Sequence, residues 1–216
     1  MRTILKMMAV VAALVTPAVA SATTAIDAAG DFLPSYLGTK DADLDVLSFS
    51  VGYDAASELF TVGATLAGAI NPATPGFYVI GVDINGAGNA PFGGLGAPNV
   101  KFNRVILIQK NGTGSIGGVA IPTGDITVSG SSFSFQLAVA ALNPGGLAAP
   151  FAPVDYGWNL WPRNASGITD FAPDNALING AVPEPTGWAM MILGMGAIGG
   201  LMRLRGSARA RAIVAA

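Results

Sequence analysis

Apolar residues recur at every second position through much of the middle of the chain. From Leu47 to Tyr53 large apolar side chains alternate with serine and glycine, and the pattern repeats from Phe60 to Leu66. A period of two puts alternate side chains on opposite faces of an extended strand. The two stretches are separated by turn-forming residues 54–58, so they predict a β-hairpin.

Four further stretches also have the pattern of strands. Phe77–Val82 and Val105–Ile108 are continuous apolar runs rich in β-branched residues, as expected of strands that are buried on both faces. Residues 126–128 and 133–139 flank the turn Ser129–Ser131 and predict a second hairpin. The alternating stretches have a period of two rather than 3.6, and the continuous runs are short and rich in β-branched residues, so the pattern favours strands.

The composition agrees with a fold built from short strands and turns. The chain contains 29 glycines and 14 prolines, and only 11% of its residues are charged, which disfavours a helical bundle. We predict an all-β fold, an antiparallel β-sandwich or jelly-roll-like domain over residues 23–180, with low helix content. Two glycine-rich loops, Gly86–Gly96 and Asn143–Pro153, are predicted to lie on its surface.

The beginning of the chain has the three parts of a secretory signal peptide. Two basic residues within Met1–Lys6 precede the apolar stretch Met7–Val15, and small residues follow. We predict a signal peptide over residues 1–22, with cleavage after Ala20 or Ala22. The alternative is an uncleaved anchor, but the apolar stretch is too short to span a bilayer. The mature protein is therefore expected outside the inner membrane.

The end of the chain is also expected to direct the protein to a membrane. No charged residue occurs from Gly187 to Met202, and a helix over residues 187–202 would be about 24 Å long, somewhat under the bilayer core of about 30 Å. Arg203 and Arg205 follow this predicted transmembrane helix and should stay in the cytoplasm. Pro183 and Pro185 precede it and keep the chain extended. An extended segment beside a membrane is accessible to a protease.

This C-terminal arrangement resembles the PEP-CTERM sorting signal. Over residues 181–211 a Pro-Glu-Pro motif, a tryptophan, an apolar run and arginines follow one another in that family's order, and residues 212–216 form a short tail. The resemblance implies recognition by a membrane-embedded exosortase, cleavage at or near Pro-Glu-Pro, and association with exopolysaccharide in biofilm-forming Gram-negative bacteria. A plain C-terminal anchor is the alternative. The residues that match the signal are Pro183, Glu184, Pro185, Trp188, Arg203 and Arg205.

Aspartates in two segments suggest a metal site. Asp41, Asp43 and Asp45 would share one face of an extended strand, and Asp83 begins an oxygen-rich turn. Like charges on one face repel unless a cation neutralises them, and Ca²⁺ prefers such oxygen ligands. We predict no catalytic cofactor, and a structural Ca²⁺ is the ion that these motifs would accept. The alternative is a solvated strand start followed by an ordinary turn.

An aromatic segment suggests a sugar contact. Trp158, Trp161 and Arg163 lie within six residues of one another, near Tyr156. Aromatic rings stack on sugar rings, and arginine donates hydrogen bonds to hydroxyl groups. In a strand Trp158 and Trp161 would lie on opposite faces, so at least one is expected in the core. The alternative is that both tryptophans are core residues.

The inventory of reactive side chains disfavours an enzyme. The chain has no cysteine and no histidine, which removes thiol nucleophiles, the usual neutral-pH base and the commonest metal ligand. Residues 23–182 contain twelve acidic and five basic residues, a net charge of −7, which disfavours binding to nucleic acid. We therefore predict no catalytic activity.

These observations favour one function class over its main rival. We expect an exported, non-enzymatic cell-surface or extracellular-matrix protein that is sorted by exosortase and associated with exopolysaccharide and biofilm. It would be anchored in the inner membrane only in transit. The alternative is a membrane-anchored periplasmic module that binds carbohydrate or mediates adhesion.

Overall fold

The computed structural model describes residues 22–122, 124–147, 150–180 and 192–196. Contacts divide the chain into two units, of which one is Ala20–Val182. All strands of the described residues belong to that unit.

The second unit consists of Met1–Val19 and Pro183–Ala216. It is described only at residues 192–196, which are helical. No helix in the described part of the chain is long and apolar enough to cross a membrane. Residues 1–21 of the predicted signal peptide and most of the predicted transmembrane helix at 187–202 lie outside the described residues.

Within the unit Ala20–Val182, the described residues form twelve strands, one short α-helix (Val139–Leu142) and three 3₁₀ turns. In chain order the strands are β1 (Ala22–Ile26), β2 (Val46–Asp54), β3 (Leu59–Leu66), β4 (Phe77–Asp83), β5 (Arg104–Gln109), β6 (Gly114–Ile116), β7 (Val119–Ala120), β8 (Ile126–Ser129), β9 (Ser132–Ala138), β10 (Gly157–Asn164), β11 (Gly167–Ile168) and β12 (Ile178–Asn179).

The strands form two sheets, and the pairs within them are antiparallel. The first sheet has the order β1-β2-β3-β9-β8, and the second has the order β11-β10-β4-β5-β6-β7 with β12 also paired to β10. The prediction of an all-β fold with little helix is confirmed.

The hairpins predicted from alternation are present. Strand β2 pairs with β3 in the register Tyr53↔Phe60, and β8 pairs with β9 in the register Val128↔Phe133. The first turn is held by Asp54, whose carboxylate accepts the Ala56 N–H at 2.9 Å and the Ser57 hydroxyl at 2.7 Å. These local bonds explain why the turn ends β2 where the alternation ends.

The two sheets share one apolar core, as in a sandwich. Alternate residues of both sheets belong to it, and the largest fully buried side chains include Phe49, Phe60, Tyr78, Phe133 and Trp158. The Tyr78 and Phe133 ring centroids are 4.8 Å apart, as are those of Phe60 and Trp158. Aromatic contact between the sheets thus aligns them, beyond the general gain from burying apolar area.

A second apolar cluster covers the other face of β4 and β10. The connection between β4 and β5 folds across this face and places Phe92 5.0 Å from both the Trp161 and Phe171 ring centroids. Trp161 lies directly over Gly81, because a Cβ at residue 81 would come within 2.6 Å of its ring. The predicted Gly86–Gly96 surface loop therefore packs against the sheet, and its apolar residues cover the outer face of β4, whose other face lies in the core between the sheets.

Phe92→Ala should reduce the free energy of unfolding by about 2 to 3 kcal/mol, because the partly buried ring loses its contacts with Trp161 and Phe171. The substitution should also open Trp161 to solvent. Acrylamide quenching in a Trp188→Phe background measures this, because only Trp158 and Trp161 then remain of the three tryptophans.

Leu37→Ala is the control for this experiment, because the Leu37 side chain is 92% exposed. It should leave the free energy of unfolding and the quenching unchanged. Equal unfolding and quenching in the Phe92 and Leu37 variants would contradict the packing of the loop on the sheet.

Candidate functional site

The two tryptophans that were predicted to bind sugar are buried. Trp158 is 0% exposed in the core between the sheets, and Trp161 is 3% exposed in the second cluster. Neither ring offers a free face, so the prediction of a tryptophan stacking platform is wrong. Arg163 is exposed, and its guanidinium lies 5.9 Å from the centroid of the Phe77 ring. The alternative, that both tryptophans are core residues, is confirmed.

The four aspartates predicted to bind Ca²⁺ are not brought together. Residues Ala42–Leu44 form a 3₁₀ turn rather than part of a strand. The turn rotates successive side chains by about 120°, so Asp41, Asp43 and Asp45 do not share a face. Asp43 and Asp45 have different partners, and Asp83 is the last residue of β4. The predicted ligand set is therefore wrong.

Asp43 is neutralised by a lysine. Its Oδ2 lies 2.8 Å from the Lys110 Nζ, and both side chains are buried. The ammonium group also donates to Thr74 Oγ1 at 2.8 Å and to the Pro75 carbonyl at 3.4 Å, which uses its three protons. The Asn71 N–H donates to the same Asp43 oxygen at 2.9 Å. The Asp43 charge is therefore neutralised by Lys110 through Oδ2, while its Oδ1 is buried and accepts no hydrogen bond from the described residues.

Asp83 holds a loop in place. Its Oδ1 accepts the Gly86 N–H at 3.0 Å and the Asn103 Nδ2 at 3.1 Å. Because Asn103 stands just before β5, these bonds join both ends of the connection that covers the outer face of β4. The role of Asp83 in the described structure is to fix this loop.

A different group of carboxylates meets at one end of the two sheets. What we call the aspartate cluster consists of two triads that share Asp31, and within each triad one carboxylate oxygen per residue lies within 4.8 Å of the other two. The inner triad is Asp31, Asp45 and Asp170, and the outer triad is Asp27, Asp31 and Asp174. Asp45 and Asp170 are buried, Asp27 is half-buried, and the other two are exposed.

The strands and their connections position these carboxylates through backbone hydrogen bonds. Asp45 directly precedes β2, and its Oδ2 accepts the Gly30 N–H at 2.8 Å. Asp170 follows β11, and its two oxygens accept the Val46 N–H at 2.9 Å and the Phe171 N–H at 2.7 Å. Two buried side chains from opposite ends of the sequence are thereby held in fixed orientations.

Burial and mutual repulsion disfavour the charged form of these groups. Burial, followed by the charges of Asp31 and Asp174, raises the pKa of Asp27 to about 7. Burial is also the largest cause that raises the pKa of Asp170 to about 8, against the hydrogen bond from Val46. Burial likewise raises the pKa of Asp45. Carboxyls in such surroundings hold a proton or take a cation near neutral pH.

The described protein supplies no positive charge to the cluster. Among the described residues the one ion pair is Lys110–Asp43, which belongs to another part of the domain. Asp45 Oδ1 and Asp27 Oδ2 are buried and accept no hydrogen bond from the described residues. The cluster therefore combines like charges, burial and unused acceptor atoms.

Sequence reasoning missed Asp27, Asp31, Asp170 and Asp174. A signal was present, because five aspartates occur between residues 27 and 45. That signal does not identify the right members, since the grouping depends on how residues near 170 dock beside the start of β2. Only Asp45 belongs both to the predicted ligand set and to the aspartate cluster.

The predicted sorting residues lie outside the described part of the chain. These residues are Pro183, Glu184, Pro185, Trp188, Arg203 and Arg205.

Comparison with known proteins gives no further assignment, because no protein-family model, curated protein or solved structure matches this chain.

Lys110→Met should reduce the free energy of unfolding by about 3 to 5 kcal/mol, because it leaves the Asp43 carboxylate buried without a cation. The double variant Asp43→Asn/Lys110→Met should be less destabilised than Lys110→Met alone, since the uncompensated charge is gone. Urea unfolding of the full-length chain measures both effects. Lys101→Met, at an exposed lysine, is the control, and equal stability of the two single variants would contradict this account.

Stability in EDTA should fall as the pH rises from about 5 to about 8. The folded-state pKa values of Asp27 and Asp170 are raised to about 7 and about 8 from 3.8, so the folded protein binds more protons than the unfolded chain in this window. Thermal melting should show a fall of several degrees. Asp27→Asn should flatten this pH profile. The control is Asp155→Asn, which changes an exposed aspartate outside the cluster and should leave the profile unchanged. A melting temperature that rises with pH would contradict the prediction.

Proposed function

We propose that this chain is an exported, non-enzymatic protein of the cell surface or extracellular matrix. An exosortase would recognise its C-terminal segment and cut at or near Pro183-Glu184-Pro185, and the released domain would associate with exopolysaccharide in a biofilm. The observation that carries the proposal is the order of features at the end of the sequence. Pro-Glu-Pro, the uncharged stretch 187–202 and the arginines at 203 and 205 follow one another there.

The boundaries of the folded unit support this proposal. The compact unit Ala20–Val182 begins beside the predicted signal-peptide cleavage positions and ends immediately before Pro183. Cleavage after Ala20 and near Pro183 would therefore release the β domain with its described strands intact, and cleavage after Ala22 would remove only the first residue of β1. In this proposal a β-sandwich or jelly-roll-like domain is flanked by a signal peptide and by one transmembrane helix.

Composition supports a role outside the cell without catalysis. The absence of cysteine and histidine from the sequence removes the nucleophile–base pairs of most hydrolases. The domain's net charge of −7 over residues 23–182 keeps it soluble and disfavours binding to nucleic acid. The two tryptophans expected to contact sugar are core residues. The proposed association with exopolysaccharide therefore depends on the resemblance of the tail to the sorting signal alone.

The test is the C-terminus of the exported protein. The chain would carry an internal affinity tag at the exposed turn Gly117–Gly118, since the Gly86–Gly96 loop packs on Trp161 and would not tolerate an insertion. It would be expressed in a host with and without its exosortase, and intact-mass spectrometry would locate the last residue. We expect a terminus near residues 183–185 only when the exosortase is present.

A variant with Pro183, Glu184 and Pro185 all changed to alanine should keep its tail and remain in the membrane fraction. Glu58→Ala is the matched control, because Glu58 is the only other glutamate in the chain, and it should be processed normally. An intact Ala216 in the membrane fraction despite an active exosortase would overturn the proposal in favour of a membrane-anchored binding or adhesion module.

A further inference from the structure

The inner triad of the aspartate cluster combines two observations that do not depend on each other. The first is proximity, because Asp31, Asp45 and Asp170 each offer a carboxylate oxygen and these oxygens lie within 4.8 Å of one another. The second is an unused acceptor, because Asp45 is only 4% exposed and its Oδ1 accepts no hydrogen bond from the described residues. A buried carboxylate oxygen without a donor is costly unless a cation or a proton satisfies it.

We propose that Asp31, Asp45 and Asp170 bind one Ca²⁺ ion. Oxygens that share one Ca²⁺ lie about 2.4 Å from it, so they can be at most about 4.8 Å apart. The separations within the triad meet this limit. Three carboxylates supply the hard, anionic oxygen ligands that Ca²⁺ prefers, and water would complete its coordination.

The hydrogen bonds of the two buried ligands leave them able to bind the ion. Asp170 accepts one N–H at each oxygen, from Val46 and Phe171, and Asp45 accepts the Gly30 N–H at Oδ2. Each carboxylate oxygen has two acceptor positions, so a backbone donor fixes its direction and leaves one position free. These fixed donors reduce the entropy that the site would lose on binding.

The chemistry of the site favours Ca²⁺ over Mg²⁺ and over a lysine or arginine side chain of the protein. Mg²⁺ requires near-octahedral ligands at about 2.0 to 2.1 Å, keeps several waters and usually takes one or two carboxylates, whereas this triad offers three. No described lysine or arginine forms an ion pair with the triad. A Ca²⁺ ion would also remove the repulsion among the three carboxylates.

Binding would tie together parts of the chain that are distant in sequence. Asp31 follows β1, Asp45 precedes β2 in the first sheet, and Asp170 follows β11 in the second sheet. One ion would therefore link the two sheets at this end of the domain. Its effect would be the same in a sorted and in an anchored protein, so a failure of the sorting proposal leaves this one standing.

The experiment is Ca²⁺ titration of the full-length chain after treatment with EDTA, followed by calorimetry and thermal melting. We expect one bound Ca²⁺ per chain and, at Ca²⁺ about 100-fold above the Kd, a melting temperature raised by roughly 5 to 10 °C. Mg²⁺ should bind at least about tenfold more weakly. The proposal would be overturned if the chain bound no Ca²⁺ at 10 mM, a concentration about tenfold above the Kd of the weakest extracellular sites. Binding of Mg²⁺ with equal affinity would also overturn it.

Two variants locate the ion. Asp31→Asn should fold normally because Asp31 is exposed, and it should weaken Ca²⁺ binding at least about tenfold. Asp45→Asn should melt higher than the unchanged chain in EDTA, because it removes a charge and its amide can donate to neighbouring carboxylates, yet it should gain nothing from Ca²⁺.

Asp41→Asn is the matched control, because Asp41 lies in the same acidic segment but outside the triad. It should keep the Ca²⁺ affinity and the melting shift of the unchanged chain. Loss of binding in Asp41→Asn together with retained binding in Asp31→Asn would overturn the assignment of the site to the inner triad.

Discussion

The contact between residues 169–170 and the start of β2 is the interaction on which the arrangement of this domain depends. The Thr169 hydroxyl donates to the Leu44 carbonyl at 2.7 Å, and Asp170 accepts the Val46 N–H at 2.9 Å. These bonds join the segment that follows β11 of the second sheet to the residues at the start of β2 in the first sheet. Burial strengthens such bonds and makes their loss expensive. Because Asp45 lies between Leu44 and Val46, the same contact also assembles the aspartate cluster.

Strands whose pattern is local could be predicted from the sequence, and strands that depend on distant partners could not. The alternation around Leu47–Tyr53 and Phe60–Leu66 identified β2 and β3 because one face of each strand is buried in the core. The short strand β1 has no such pattern, since its residues alternate only between half-buried and exposed, and β2 holds it in place. The two-residue strands β7, β11 and β12 carry too few side chains to form a pattern at all.

The functional residues were harder to predict than the strands, for two physical reasons. The first is that a glycine-rich stretch can carry a few apolar side chains that decide its position, as Phe92 does when it covers Trp161. Composition alone describes such a stretch as a loop. The second is that one turn of 3₁₀ helix at Ala42–Leu44 changes which aspartates are neighbours. A spacing of two residues describes a shared face only if the backbone stays extended.

The domain accommodates Asp43 and the aspartate cluster in two different ways, and its small number of basic residues explains the difference. Lys110 neutralises Asp43 with all three of its protons engaged. Arg104 donates to carbonyl and amide oxygens, Lys40 lies 5.5 Å from the centroid of an aromatic ring, and Arg163 lies over another ring.

Of the five basic residues between positions 23 and 182, this leaves Lys101, whose side chain is exposed. The aspartate cluster has only backbone N–H groups from the described protein, and these orient carboxylates without cancelling their charge. Protons from solvent neutralise Asp27 and Asp170 up to about neutral pH, because their pKa values are raised to about 7 and about 8. The proposed Ca²⁺ ion would neutralise the carboxylates that remain ionised. The burial of Asp45 and Asp170 thus couples the stability of the β domain to the protonation of these carboxylates and, if the proposed site binds Ca²⁺, to the concentration of that ion.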